Sequence, residues 1–195
     1  MTREATIERK TSETQISLSL NIDGPGKSLI QTGVPFLDHM LDLFSKHGLF
    51  ILTVAANGDT HIDDHHTVED IAICLGEAFK KALGNGKGIT RYASVSVPMD
   101  EALCNIAMDI SNRPCLSFNV DFPKTKVGTF DAELVEEFFN AFVNNARMSL
   151  HIDMVRGQNL HHIIESIFKA FGVCLDKATQ IDPRKDDIPS TKGVL

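Results

Sequence analysis

The sequence predicts an α+β fold built by internal duplication, and two observations carry that expectation. The first is a repeat. HHTVEDIAICLGEAFKKAL, from His65 to Leu83, recurs as HHIIESIFKAFGVCLDKAT, from His161 to Thr179. At one constant separation His65 aligns with His161, His66 with His162, Glu69 with Glu165, Gly76 with Gly172, Lys81 with Lys177 and Ala82 with Ala178. From this chain's residue frequencies, H-H-x-x-E should arise about 0.02 times per shuffled sequence, so two copies with matching helices behind them are not chance. The second observation is that each half runs through the same order of hydrophobic periods, strand-like and then helix-like.

Taken in order, the first half shows strands near 15–22 and 28–33, a helix near 36–46, a strand near 49–55 and a helix near 65–83. The second half shows strands near 93–98, 102–110 and 115–121, a helix near 131–147, a strand near 148–155 and a helix near 161–178. QISLSLNID and LCNIAMDIS both alternate apolar and polar residues, the strand period. PFLDHMLDLFSKHG (Pro35 to Gly48) resembles ELVEEFFNAFVNNA (Glu133 to Ala146), each with apolar residues at helical spacing, and this pairing sets His39 against Glu137. The glycine-rich run Gly84-Asn85-Gly86-Lys87-Gly88 reads as the junction, because it lacks the spacing of a phosphate loop. Residues 1–88 then form a first α+β repeat. Residues 89–195 form a second with a C-terminal tail, and two sheets with helices on one face bury the repeats against each other as one compact unit.

Composition narrows the function. The chain has 195 residues, 43% hydrophobic and 23% charged, with a formal net charge of −7. That is the balance of a globular domain, and the acidic excess argues against nucleic-acid binding. No apolar run approaches the roughly 20 residues that span a bilayer, and MTREATIERK lacks the apolar core of a signal peptide, so a soluble cytoplasmic protein is expected. Cys74, Cys104, Cys115 and Cys174 form no C-x-x-C, and they read as buried thiols in a reducing compartment.

The histidines carry the chemistry. Neighbouring helical residues point about 100° apart, so His65 and His66 do not easily grip one ion together. Glu69 follows them by one helical turn and can share a face with either. Each H-H-x-x-E therefore offers ligands in two directions. Two copies supply four imidazoles and two carboxylates, and His39 adds a fifth imidazole. Packing gives no reason to repeat two adjacent imidazoles with the same glutamate behind them. Mixed nitrogen and carboxylate donors suit Mn²⁺, Fe²⁺ or Zn²⁺, in two sites that subunits could share. Asp63 and Asp64 either cap the helix or also orient the imidazoles. His47, His61 and His151, taken singly, read as ordinary surface or structural histidines.

An anion site is also suggested. Arg91 follows the glycine-rich junction, Arg113 lies in the turn SNRP, and Lys169 is one turn beyond Glu165. The tail brings Ser190, Thr191 and Lys192 to a glycine. Hydroxyls, cations and free backbone N–H groups are what a phosphate needs.

With these residues in view, the chain resembles the imidazoleglycerol-phosphate dehydratases of histidine biosynthesis nearly end to end. TGVPFLDHML, GDTHIDDHHTVED, PMDEAL, VGTFDAELVEEFF, GQNLHHIIESIFKAFG and PSTKGVL carry the resemblance. It implies two similar halves, each a four-stranded sheet with two helices and a left-handed βαβ connection, the ribosomal-protein-like superfold. It implies a Mn²⁺-dependent hydro-lyase with two ions per subunit, acting on imidazoleglycerol phosphate to give imidazoleacetol phosphate. Trimers assembling into a 24-mer, with metal sites between subunits, are part of the same implication.

Carried over residue by residue, the metal ligands are His39, His65, His66, Glu69, His161, His162 and Glu165, with Glu137 where many relatives have histidine. The phosphate contacts are Arg91, Arg113, Lys169, Ser190 and Lys192. Glu13, in SETQ, matches an acid/base, and Glu69 and Glu165 join it at the reaction centre. Leu43 stands where relatives often carry glutamine. Two other classes compete. A dinuclear phosphate-ester hydrolase would release inorganic phosphate. A metal-storing shell would take up far more than two ions per chain, and its ferritin-type bundles use Glu-x-x-His rather than this reversed order.

Overall fold

The computed structural model describes residues 2–195. Strand β1 (Glu4–Lys10), β2 (Thr14–Asn21) and β3 (Lys27–Gln31) lead into helix α1 (Pro35–Gly48), strand β4 (Ile51–Gly58) and helix α2 (His65–Leu83). The second half adds β5 (Tyr92–Met99), β6 (Ala102–Asp109) and β7 (Cys115–Asn119). A small hairpin follows, β8 (Lys126–Val127) with β9 (Phe130–Asp131). Then come α3 (Glu133–Ala146), β10 (Ser149–Arg156) and α4 (Leu160–Thr179).

Each half forms a four-stranded sheet, ordered β1-β2-β4-β3 and β5-β6-β10-β7. The central strands are those whose sequences alternate most cleanly. Ile16, Leu18 and Leu20 of β2, and Cys104, Ile106 and Met108 of β6, turn inward and are buried. In each sheet one edge strand is parallel to its neighbour, β3 to β4 and β7 to β10, and the joining helix, α1 or α3, makes the crossover.

Sequence periodicity missed β1. It is an edge strand reading EATIERK, with one buried residue, so its apolar signal is faint. The β8–β9 hairpin was missed too, being only two residues per strand with its turn at Gly128. Cys74, Cys104 and Cys174 are buried, and burial pushes each thiol up to about 12; Cys115 is exposed, against expectation, because it opens an edge strand.

The helices of one half pack on those of the other, α1 on α4 and α2 on α3, with each sheet behind its own helices. The seam is aromatic. Phe44 of α1 stacks on Phe171 of α4 at 5.0 Å between ring centroids, and Phe79 of α2 meets Phe142 of α3 at 6.1 Å. Eight phenylalanines are fully buried, each worth about 1.5–3 kcal/mol. The repeated glycines explain the close crossing. A Cβ on Gly172 would lie 2.5 Å from the Phe44 carbonyl oxygen, and one on Gly76 2.7 Å from that of Phe142. Side chains there would force the helices apart.

Candidate metal centre

Both H-H-x-x-E motifs open a helix at the same end of the helical layers. Asp63 Oδ1 accepts from the His65 backbone N–H at 2.9 Å, and Asn159 Oδ1 accepts from that of His161 at 2.9 Å. Asp64, the residue before α2, makes no side-chain cap. Capping starts each helix at its motif and so sets where the imidazoles emerge.

Adjacent imidazoles diverge as helix geometry requires. The rings of His65 and His66 are 83° apart in plane, and those of His161 and His162 are 81° apart. One histidine of each pair turns inward to a three-residue cluster. His39, His161 and Glu165 offer donor atoms all within 4.8 Å of one another, and so do His65, Glu69 and Glu137. Each cluster draws on both halves. His39 of α1 joins the residues of α4, and Glu137 of α3 joins those of α2.

The first cluster is tightly knit. His161 Nε2 lies 3.0 Å and His39 Nε2 3.5 Å from Glu165 Oε2, and Lys169 Nζ lies 2.6 Å from Glu165 Oε1. Burial works to raise the Glu165 carboxyl, but Lys169, His161 and His39 outweigh it and hold the group below the usual carboxylate range. The second cluster is more open, with His65 Nε2 4.0 Å from Glu69 Oε2.

The other histidine of each pair is pinned by a carboxylate. His66 Nδ1 lies 3.0 Å from Asp59 Oδ2, and His162 Nδ1 lies 2.8 Å from Glu101 Oε2. These contacts raise both imidazoles above the ordinary histidine range. With Nδ1 held, Nε2 is the nitrogen left to ligate, the usual arrangement of a histidine oriented by a carboxylate. A hairpin turn brings a second acid to each. Glu13, between β1 and β2, puts Oε1 3.8 Å from His66 Nε2, and Asp100, between β5 and β6, puts Oδ2 3.8 Å from His162 Nε2. The duplication thus extends to the hairpin acids Glu13 and Asp100 but not to the pinning acids, since Asp59 follows β4 whereas Glu101 shares the β5–β6 hairpin with Asp100. Asp59 and Glu101 were not singled out from sequence. Their signal was present, since both lie in the stretches GDTHIDDHH and PMDEAL, but only folding brings them to the imidazoles.

Arg91, Arg113, Ser190 and Lys192 line one cleft of about 650 Å³. Arg91 is buried and braced, its Nε 2.8 Å from Asp109 Oδ1 and its Nη1 donating to the Pro189 carbonyl at 2.6 Å. Arg113 is mostly exposed, with Nη2 3.7 Å from Asp109 Oδ2. Within one chain the structure does not bring Lys169 to this cleft, because α4 carries it to Glu165 instead. Leu43 is half-buried and packs against the core. His47, His61 and His151 are all exposed and belong to neither cluster.

The donor set fits a divalent ion, since each cluster mixes imidazole nitrogen with carboxylate oxygen and closes to ligand spacing. Fold and site together define a duplicated α+β protein with twin histidine–carboxylate centres. The family model described as imidazoleglycerol-phosphate dehydratase matches residues 32–175. Over the full length of both chains, this one is 62% identical to the imidazoleglycerol-phosphate dehydratase of Pelobacter propionicus and 60% identical to that of Geobacillus thermodenitrificans. Its fold matches the crystal structure of imidazoleglycerol-phosphate dehydratase from Staphylococcus aureus with a TM-score of 0.84, at 46% identity, over 92% of this chain and 99% of that one. The enzyme from Pyrococcus furiosus matches with a TM-score of 0.84 at 35% identity, over 97% of this chain and 100% of that one. The chain belongs to the imidazoleglycerol-phosphate dehydratase family, hydro-lyases of histidine biosynthesis.

Proposed function

We propose that this chain converts imidazoleglycerol phosphate to imidazoleacetol phosphate using two Mn²⁺ per subunit. The observation that carries the reading is the pair of histidine–carboxylate clusters closed between the halves, in a family named for this dehydration. His39, His161 and Glu165 would hold one ion, and His65, Glu69 and Glu137 the other. His66 and His162, each pinned through Nδ1 with Nε2 left to ligate, would complete the sites of neighbouring subunits. That sharing makes the active form a homo-oligomer, trimers assembling into a 24-mer, in the cytoplasm. When bound, the ions supply Lewis acidity that makes a substrate imidazole N–H easier to lose.

The remaining work falls to side chains. Glu13, beside His66, serves as the acid/base. It gives a proton to the departing hydroxyl oxygen or takes one from the neighbouring carbon. The C–O and C–H bonds break, water leaves, and the enol formed relaxes to the ketone. Arg91, Arg113, Ser190 and Lys192 hold the phosphate in their cleft and so orient the reacting end. Lys169 lies beside Glu165 and would reach a phosphate whose substrate sits at a subunit boundary.

The test is to strip the protein with a chelator, restore single metals, and assay dehydration of imidazoleglycerol phosphate. Activity should return with Mn²⁺, and a ketone should appear without release of inorganic phosphate. Phosphate release would favour a hydrolase instead. Replacing His65 or His161 by alanine should lower bound metal and disturb assembly; two ions per chain in those variants would refute the ligand assignment.

A further inference from the structure

The two clusters match in position but not in charge. Around Glu165 stand two imidazoles and one ammonium, with Lys169 Nζ 2.6 Å from Oε1 and both histidines on Oε2. With neutral imidazoles the group carries no net charge. Around His65 stand two carboxylates, Glu69 and Glu137. The position one turn beyond Glu69 is Ile73, where the other half has Lys169. Among the described residues, neither Glu69 nor Glu137 pairs with a lysine or arginine. This group carries two negative charges.

Three physical effects follow, and all point the same way. A divalent cation is attracted in proportion to the charge it meets. An ammonium in contact with a ligating carboxylate also occupies one of its oxygens and repels the incoming ion. Donor type adds to this, since Mn²⁺ favours oxygen ligands and nitrogen-rich sites favour later metals. His66 and His162 would add only neutral imidazole, so they leave the difference intact.

We infer that the two metal positions are unequal, the His65–Glu69–Glu137 position taking Mn²⁺ first and more tightly, and the His39–His161–Glu165 position second, weakened by the Lys169 ammonium. The inference rests on the two-ion reading proposed above. It assigns Glu137 a role of its own, as the residue that makes one position a hard-cation site.

The test is a titration of the metal-free full-length protein with Mn²⁺, following free aquo-Mn²⁺ by its electron paramagnetic resonance signal. Two classes of site are expected, with dissociation constants about tenfold or more apart. Glu137→His should loosen the tight class about tenfold and bring the two classes together. Lys169→Met should tighten the loose class and leave the tight one in place. Thermal melting checks that each variant is folded, and Glu137, at a partly exposed helix position, is a mild site to change. Two equal sites in the native protein would overturn the inference, as would loosening of the weak class by Glu137→His. Fewer than two bound ions in the native protein would overturn the two-ion reading itself, and this inference with it.

Discussion

His39 and Glu165 belong to opposite halves of the chain, yet His39 Nε2 lies 3.5 Å from Glu165 Oε2. Neither half can make this cluster alone. The contact depends on how closely α1 crosses α4, and that distance is set where Gly172 lies against the backbone of Phe44.

Gly172→Ala should therefore act on both stability and site. The new methyl would meet backbone at 2.5 Å, which cannot rotate away. A loss of about 1–3 kcal/mol is expected, read as a lower denaturant midpoint at unchanged slope. Metal affinity at the His39 cluster should fall with it. A variant as stable as the parent would show that the crossing is not tight.

Glu13→Gln should cost turnover by about 10²–10⁴-fold, the usual worth of a positioned acid/base, while metal content stays as in the parent. Glu13 sits on a hairpin turn and is half-exposed, so the fold should not suffer. Unchanged turnover would remove it from the mechanism.

The Glu101–His162 pair predicts a pH dependence in the metal-free protein. The hydrogen bond to His162, helped by the Asn159 backbone N–H, holds the Glu101 carboxyl down at about 2, and Glu101 in turn raises the His162 imidazole. A lowered carboxyl stabilises the fold above its ordinary range, and that is lost as pH falls toward about 2. A raised imidazole stabilises below its ordinary range, and that is lost as pH rises through its elevated value. The pair thus contributes fully between the ordinary glutamate and histidine ranges. Glu101→Gln should return the His162 titration, followed by proton NMR, toward the ordinary value. An unmoved titration would mean the contact does not persist in solution.

Arg113→Ala should raise KM for the phosphorylated substrate by about tenfold to a hundredfold, the range of a charged hydrogen bond, with a smaller change in kcat. Arg113 is the exposed arginine of its cleft, whereas Arg91 is buried and tied to Asp109 and Pro189. Removing Arg91 should cost stability as well as binding, so Arg113 is the cleaner probe. An unchanged KM would place the phosphate elsewhere.

By itself the sequence determined the duplication, the limits of helices α1 to α4 to within a few residues, and the kinds of ligand on offer. Those properties are local. A helical stripe, an alternating strand or a repeated H-H-x-x-E is written within a short stretch, and the divergence of His65 from His66 follows from helix geometry alone. Strand β1 escaped because an edge strand need bury little, and its charged residues hide the period.

Only the tertiary structure decided which residues meet. It joined His39 to His161 and Glu165, and Glu137 to His65 and Glu69, exchanging one ligand between the halves. It brought Asp59 and Glu101 to the pinned imidazoles, and it drew Lys169 to Glu165 rather than to the arginine cleft. These contacts come from helices of different halves packing through an aromatic seam at two glycines. Such packing joins residues far apart along the chain, and no period within either stretch records it.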